Sequence, residues 1–361
     1  MRSPLWIRCT VLLFMFIGLP EASIRFQGHR EIEKPPVSYA WQVQESGTEV
    51  SLRGISVVNK QVAWASGGGG TFLRTTNGGK RWTVGRVPGA ENLDFRDIEA
   101  FDTERAFLLS AGRPATIYRT DNGGNNWTRV YFNDAEGIFF NAVAFFDRQN
   151  AIAVGDPMQG RFMVITTANG GKSWEEAGDE SLPPALPGEA GFAASGTCLT
   201  VMGNSRAWFC TGGSAARVFY SRDKGKTWQV TTTPMGDNRP TSGCFSIAFR
   251  DFGFGMMVGG DYQNETGTTK NGALTRDGGL SWSRLGASRP AGFRECVAFV
   301  PATSPGVIVT VGPSGSDYSL DDGETWTPIP GPGFHSMNFS DQDGSGWAVG
   351  KEGLVARFVS R

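Results

Sequence analysis

The chain has 361 residues, with 34 Lys plus Arg against 35 Asp plus Glu, and its 50 glycines are about twice the usual share. So balanced a charge leaves no cationic excess to neutralise phosphates, which excludes nucleic acid as a partner. Two His and five scattered Cys, with no C-x-x-C and no H-E-x-x-H, supply no zinc or iron–sulfur ligand set, so neither a metal nor a cofactor is expected.

In chain order, Arg2 and Arg8 flank the start of the apolar run 9–19, which is too short to cross a bilayer and reads as a secretory signal. Residues 1–23 are therefore expected to be a leader, or an anchor where it is retained, and 24–40 a polar lead-in. Export to a periplasmic or extracellular space follows, with a soluble mature domain. Everything from 41 to 361 is expected to be one domain, because a short repeat runs through it.

That repeat is Thr/Ser-x-Asn/Asp-x-Gly-x-x-Trp, and it occurs six times: 75–82 (TTNGGKRW), 120–127 (TDNGGNNW), 167–174 (TANGGKSW), 221–228 (SRDKGKTW), 275–282 (TRDGGLSW) and 319–326 (SLDDGETW). Alternating apolar segments on both sides make each copy a hairpin turn. Asn or Asp folds back on backbone N–H groups, Gly takes the positive φ, and Trp packs the turn on the sheet. Two more strands fit inside each period: an inner strand (52–58, 95–101, 140–146, 196–202, 244–250, 294–300, 335–340) and a second strand ending in glycine. The last unit lacks its fourth strand, and Trp41-Gln42-Val43 matches the post-turn Trp-Gln-Val at 228–230. The expected fold is thus all-β: a seven-bladed β-propeller of four-stranded antiparallel blades, its ring closed by the N-terminal strand joining the C-terminal blade.

With TTNGGKRW turns, the strand GWAVGKEGLVARF from Gly346, and an Arg at the start of the inner strands SLRGISVV and DFRDIEAF, the sequence resembles the Asp-box (BNR-type) propellers. Within them it is similar to the photosystem II assembly and stability factors and their bacterial relatives. The resemblance implies an exported, non-enzymatic scaffold that binds membrane-protein assembly intermediates. The Arg pattern departs from the family at the matching positions Asn141, Thr197, Phe245, Glu295 and His335.

Function is expected on the rim that carries the long loops, 155–161, 177–195, 233–243 and 259–271, since loops of such length usually exist for binding. Asp156, Met158, Arg161, Asp261, Tyr262, Asn264 and Glu265 are its candidates. Arg53, Arg96, Arg294, Glu295 and His335 start inner strands and are expected at the mouth of the axial channel. There they either grip a partner's carboxylates or pair with one another and Asp97 to line a hydrated pore. The expected protein acts as a monomer on a protein partner. The alternative is a glycan-binding or glycan-cleaving propeller, in which Asp156, Asp261 and Glu295 supply carboxylates and Tyr262 a nucleophile. Gly67–Gly70 opens no helix and so is a turn, not a dinucleotide site. Cys198, Cys210, Cys244 and Cys296 are expected to be reduced core residues, with Cys198 and Cys210 on opposite faces of one hairpin.

Overall fold

Each Asp-box turn is built by one local exchange. In the first copy the Gly79 N–H donates to Thr75 Oγ1 (2.9 Å), Thr75 Oγ1 donates to Asn77 Oδ1 (3.1 Å), and the Arg81 N–H returns to Asn77 Oδ1 (3.0 Å). The other five copies repeat it around Asn122, Asn169, Asp223, Asp277 and Asp321. The Gly that receives the turn has φ of +77° in the first copy, a conformation that a Cβ would strain. Because the side chains satisfy the turn's own backbone, third and fourth strands are joined without help from other blades.

A computed structural model describes residues 38–178, 181–303 and 306–361 of the chain. The expected leader and all but the end of the lead-in lie outside the described residues. The strands form seven antiparallel sheets. Blade 1 runs Leu52–Val57, Ala63–Gly67, Thr71–Thr75, Thr83–Arg86, with the first of these innermost, and the later blades follow the same order. The innermost strands of the others are Asp94–Ala100, Phe140–Phe145, Leu199–Met202, Arg239–Phe249, Cys296–Val300 and Ser336–Phe339. Blade 7 is completed by the strand Tyr39–Gln44, which pairs with Val355–Ser360 and sets Trp41 opposite Phe358. Ring closure therefore takes the expected form.

Blade 5 departs from the four-stranded plan. Its sheet has six strands, because the long innermost strand Arg239–Phe249 also pairs with Gly212–Gly213, which in turn pairs with Glu189–Ala190. This pairing between blades corrects the cysteine expectation. Met202 faces Arg206, so Leu199 lies opposite Phe209. The Gly212–Gly243 pair then carries Cys244 beside Cys210, with Cα atoms 5.8 Å apart, and the two form a disulfide. Cys198 and Cys296 remain free and buried.

The core lies between blades. Trp64, Trp208 and Trp347 on second strands are essentially inaccessible, and each is wedged against a neighbouring blade. Trp64 donates to Asp102 O and Trp208 to Gly278 O, so the indole N–H groups also tie one blade to the next.

Candidate functional site

The starts of the innermost strands ring one end of the axial channel. Residues 189–196, with the sequence EAGFAASG, cross that ring. Arg53 Nη1 of blade 1 donates to Ala194 O (3.3 Å), and Arg96 Nη1 of blade 2 donates to Ala193 O (3.2 Å). From blade 3, Asp156 Oδ1 accepts the Gly191 N–H (2.8 Å) and Asn141 Nδ2 (3.0 Å). Phe192 stacks face to face on Phe245 of blade 5, centroids 3.8 Å apart. Ser195 Oγ donates to Glu295 O of blade 6 (2.8 Å), and Ser336 Oγ of blade 7 donates to Ser195 O (2.9 Å). The segment thus touches six blades and plugs the channel at this end.

Small side chains make the crossing possible. A Cβ on Gly191 would stand 2.3 Å from Asn141 Nδ2, and one on Gly196, where φ is +72°, would stand 2.3 Å from Asp97 Oδ1. The entry to the plug is pinned by Glu189, whose side chain is wholly buried. Its carboxylate receives Arg217 Nε (2.9 Å), Thr211 Oγ1 (2.6 Å) and the Leu186 N–H (2.9 Å).

The candidates from the sequence fall into distinct environments. Arg53, Glu295 and His335 do come together at the plug: His335 Nδ1 lies 2.6 Å from Glu295 Oε2, and Arg53 Nη1 lies 3.8 Å from the same oxygen. Burial lowers the Arg53 pKa, Glu295 opposes that shift, and Arg96 adds to it. Arg96 is held by Asp94 at 2.7 Å. The Arg53 and Arg96 side chains keep 24% and 31% of their surface exposed. Arg294, expected at the channel, instead points into blade 6: it is 1% exposed and forms a buried ion pair with Asp317. Asp97 pairs with no arginine among the described residues; it accepts the N–H groups of Ile98 (2.8 Å) and Val143 (2.7 Å).

Among the long-loop candidates, Asp156 serves the plug, and burial raises its pKa against the opposing bonds from Asn141 and Gly191. Arg161 donates to Leu182 O and so straps the loop that leads to the plug. Asp261 accepts Arg239 Nη1 (3.4 Å) and the Gln263 N–H (3.0 Å). Tyr262 is 46% exposed and sets its ring edge against Phe192 and Phe245. The outer surface of the plug thus carries an aromatic ledge beside the two arginines, with exposed Tyr262 and half-buried Phe192 resting on the buried ring of Phe245. Phe192 and Phe245 were not singled out as ledge residues by the sequence, where 177–195 was simply a long loop; its run of small residues was the available signal.

At the opposite end the channel stays open as a well of about 700 Å³ that bottoms on Ser195, Gly196 and Thr197. Asp97, Glu99 and Asp341 line it together with other polar residues, among them Ser56, Thr200 and Asn338, and with apolar ones such as Ile55 and Val297. Burial pushes the Asp97 carboxyl up to about 8, with the Val143 and Ile98 N–H groups opposing. Burial, then Asp97 and Asp341, holds Glu99 well above the ordinary carboxyl range. A carboxyl whose folded pKa is raised binds a proton that the unfolded chain has released. Its stabilisation is full below the unfolded value and lost as pH rises through the folded one, here between about pH 4 and about pH 8. The urea midpoint is therefore expected to fall from about pH 6 to about pH 8.5, and to fall less steeply in Glu99→Gln. A midpoint that rises over that window contradicts the assignment.

A model of the photosynthesis system II assembly factor YCF48 family matches residues 34–136, which include blades 1 and 2 with Arg53 and Arg96, and a BNR/Asp-box repeat model matches 219–230. No curated protein sequence matches the chain. Among solved structures, a YCF48 bound to a D1 peptide is 17% identical with a TM-score of 0.62, over 89% of this chain and 96% of its own. YCF48 from Cyanidioschyzon merolae is also 17% identical, with a TM-score of 0.60 over 88% and 98% of the two chains. U3-55K superposes as well, at 13% identity and a TM-score of 0.62 over 89% and 98%, so the likeness of these structures speaks for the fold. The repeat, the ring and the matched family model together make this chain an Asp-box (BNR-type) seven-bladed β-propeller that resembles the photosystem II assembly factors.

Proposed function

We propose that the protein is an exported, non-enzymatic scaffold that docks a protein partner, a membrane-complex assembly intermediate, on the plugged face of the propeller. The observation that carries this reading is the ledge itself: two half-buried arginines held to the plug's carbonyls, near an exposed Tyr262 that rests on the stacked Phe192 and Phe245. Rigid aromatic anchors beside arginines are the composition of protein-binding hot spots. The peptide-bound YCF48 shows that a propeller of this shape accommodates a peptide. Export rests on the leader pattern of residues 1–23.

Glycoside cleavage finds less support. Asp156, Asp261 and Glu295 belong to three separate hydrogen-bond networks, each already engaged, and Tyr262 stands on its aromatic neighbours without a carboxylate partner among the described residues. The test is affinity capture from the exported fraction of the producing cells with wild type, Tyr262→Ala and Arg53→Glu/Arg96→Glu. Circular dichroism checks that the plug survives the arginine changes. A partner held by wild type and released by both variants supports docking. Turnover of a glycoside panel that disappears in Asp156→Ala/Asp261→Ala overturns it.

A further inference from the structure

The register of blade 4 places a third cysteine beside the disulfide. Leu199 lies opposite Phe209, and one step further along the hairpin the Cys210 N–H donates to Cys198 O (2.9 Å). Cys198 and Cys210 therefore stand across from each other, and residues directly opposite in an antiparallel pair project from the same face. The expected opposite faces are not found, because Leu199 pairs with Phe209 rather than with Cys210.

Cα atoms of such a hydrogen-bonded pair are about 5.5 Å apart, inside the range of about 4.4–6.8 Å that a disulfide spans. The bonded partner, Cys244, is 5.8 Å from Cys210 by the same measure. Cys198, Cys210 and Cys244 are buried in one apolar cluster, whereas Cys296 belongs to another and contacts Met337 O. Cys210 thus has two cysteines within reach and is bonded to one of them.

The two partners hold different things. The bond to Cys244 joins blade 4 to blade 5 at the root of the plug: Thr211, next to Cys210, donates to Glu189, and Phe245, next to Cys244, stacks on Phe192. The strands that meet there, Gly212–Gly213 and Glu189–Ala190, have two residues each. A Cβ on Gly243 would stand 2.3 Å from Gly212 Cα, so the backbones touch with no room for side chains between them. The disulfide supplies the side-chain link that these glycines cannot. A bond between Cys198 and Cys210 would lie wholly within the blade 4 hairpin and leave blade 5 without that link.

We propose that Cys198 makes this disulfide a switch, which exchanges between Cys210–Cys244, locking the plug across the channel, and Cys198–Cys210, releasing it. The Cys198 thiolate attacks Cys210 Sγ; the Cys198–Cys210 bond forms as the Cys210–Cys244 bond breaks, and Cys244 leaves as a thiolate that takes up the proton Cys198 gave away. No electrons enter or leave the chain, so the buried bond needs no external reductant. Burial pushes the Cys198 thiol up, Asp97 of blade 2 and Asp156 of blade 3 add to that shift, and the Phe192 N–H of the plug opposes it. The closed protein therefore holds Cys198 as the unreactive thiol, and exchange quickens as pH rises and the thiolate forms. These events concern the plug itself and require no docked partner.

The experiment is disulfide mapping by mass spectrometry on the full chain, held without added thiol at about pH 7 and about pH 9 and then quenched by blocking free thiols with N-ethylmaleimide. Trypsin cuts after Arg206 and Arg217, so the three cysteines fall in separate peptides. The expected result is a Cys198–Cys210 peptide that grows in beside Cys210–Cys244, about tenfold faster per pH unit, as the thiolate fraction does. Cys244→Ser, treated with glutathione disulfide, should form the Cys198–Cys210 bond, the two thiols passing two electrons and two protons to the oxidant. In that variant amides 189–196 should exchange with deuterium about tenfold faster than in Cys198→Ser, which keeps the lock, while strands 63–75 of blade 1 exchange alike in both. Failure of the Cys198–Cys210 bond to appear in wild type overturns the proposal, whether or not Cys244→Ser folds. So do a rate of exchange that ignores pH and equal protection of 189–196 in the two variants.

Discussion

Glu189→Ala is expected to destabilise the propeller by about 3–5 kcal/mol, because it strands Arg217 in a site that excludes water. The Arg217 side chain is 10% exposed and the Glu189 side chain not at all, so solvent cannot replace the lost carboxylate. The same carboxylate anchors Thr211 Oγ1 and the Leu186 N–H; its loss orphans the Leu186 N–H and leaves Thr211 only a 3.3 Å contact with Arg217 O. The loss also reaches the candidate site, since Glu189 starts the crossing that presents the carbonyls of Ala193 and Ala194 to Arg96 and Arg53. Urea denaturation should register the energy, and amide hydrogen exchange should show faster exchange across residues 191–196. A cost below about 1 kcal/mol, the scale of an exposed ion pair, would mean that the anchor is not what holds the plug.

Trp41→Ala should cost a similar amount, about 3–5 kcal/mol for an aromatic removed from a packed core. Its indole lies between Phe334 and Phe358 at centroid distances of 5.0 and 5.1 Å and donates to Ser316 Oγ of blade 6 (3.1 Å). The strand that carries it, Tyr39–Gln44, is the outermost of the four strands of blade 7, so this residue fastens the closure of the ring to the adjoining blade. Calorimetric unfolding of Trp41→Ala against Trp41→Phe separates lost packing from the lost hydrogen bond. Phe should restore most of the stability, because the ring stacking carries more of it than the single N–H. Equal losses in the two variants would shift the weight to Ser316.

The architecture was legible in the sequence because its determinants are local and repeated. Thr75, Asn77 and Gly79 complete their turn within five residues, so six such turns give the strand order without reference to any distant contact. The match of Trp41-Gln42-Val43 to 228–230 likewise revealed the closing strand, since each fourth strand has the same packing task. The candidate site was only partly legible. Arg53, Arg96, Arg294, Glu295 and His335 were expected at the channel mouth because they start inner strands, and that position does bring Arg53, Glu295 and His335 together. Arg294 was missed because side chains alternate along a strand: one residue earlier than Glu295, it faces the other way and finds Asp317 inside the blade.

What the tertiary structure alone decided is everything that depends on which blades meet across the axis. Nothing near Glu189 in the sequence announces Arg217, and nothing near Gly191 announces Asn141 and Asp156. The disulfide joins Cys210 to Cys244 because Gly212 and Gly243 pair between blades, a contact outside the repeat. The repeat itself fixes turns and strand order, since those are set by hydrogen bonds a few residues apart. The plug, the arginine ledge on one side of it and the carboxyl well on the other arise from a segment without a repeat, whose course is set by non-local contacts with six blades.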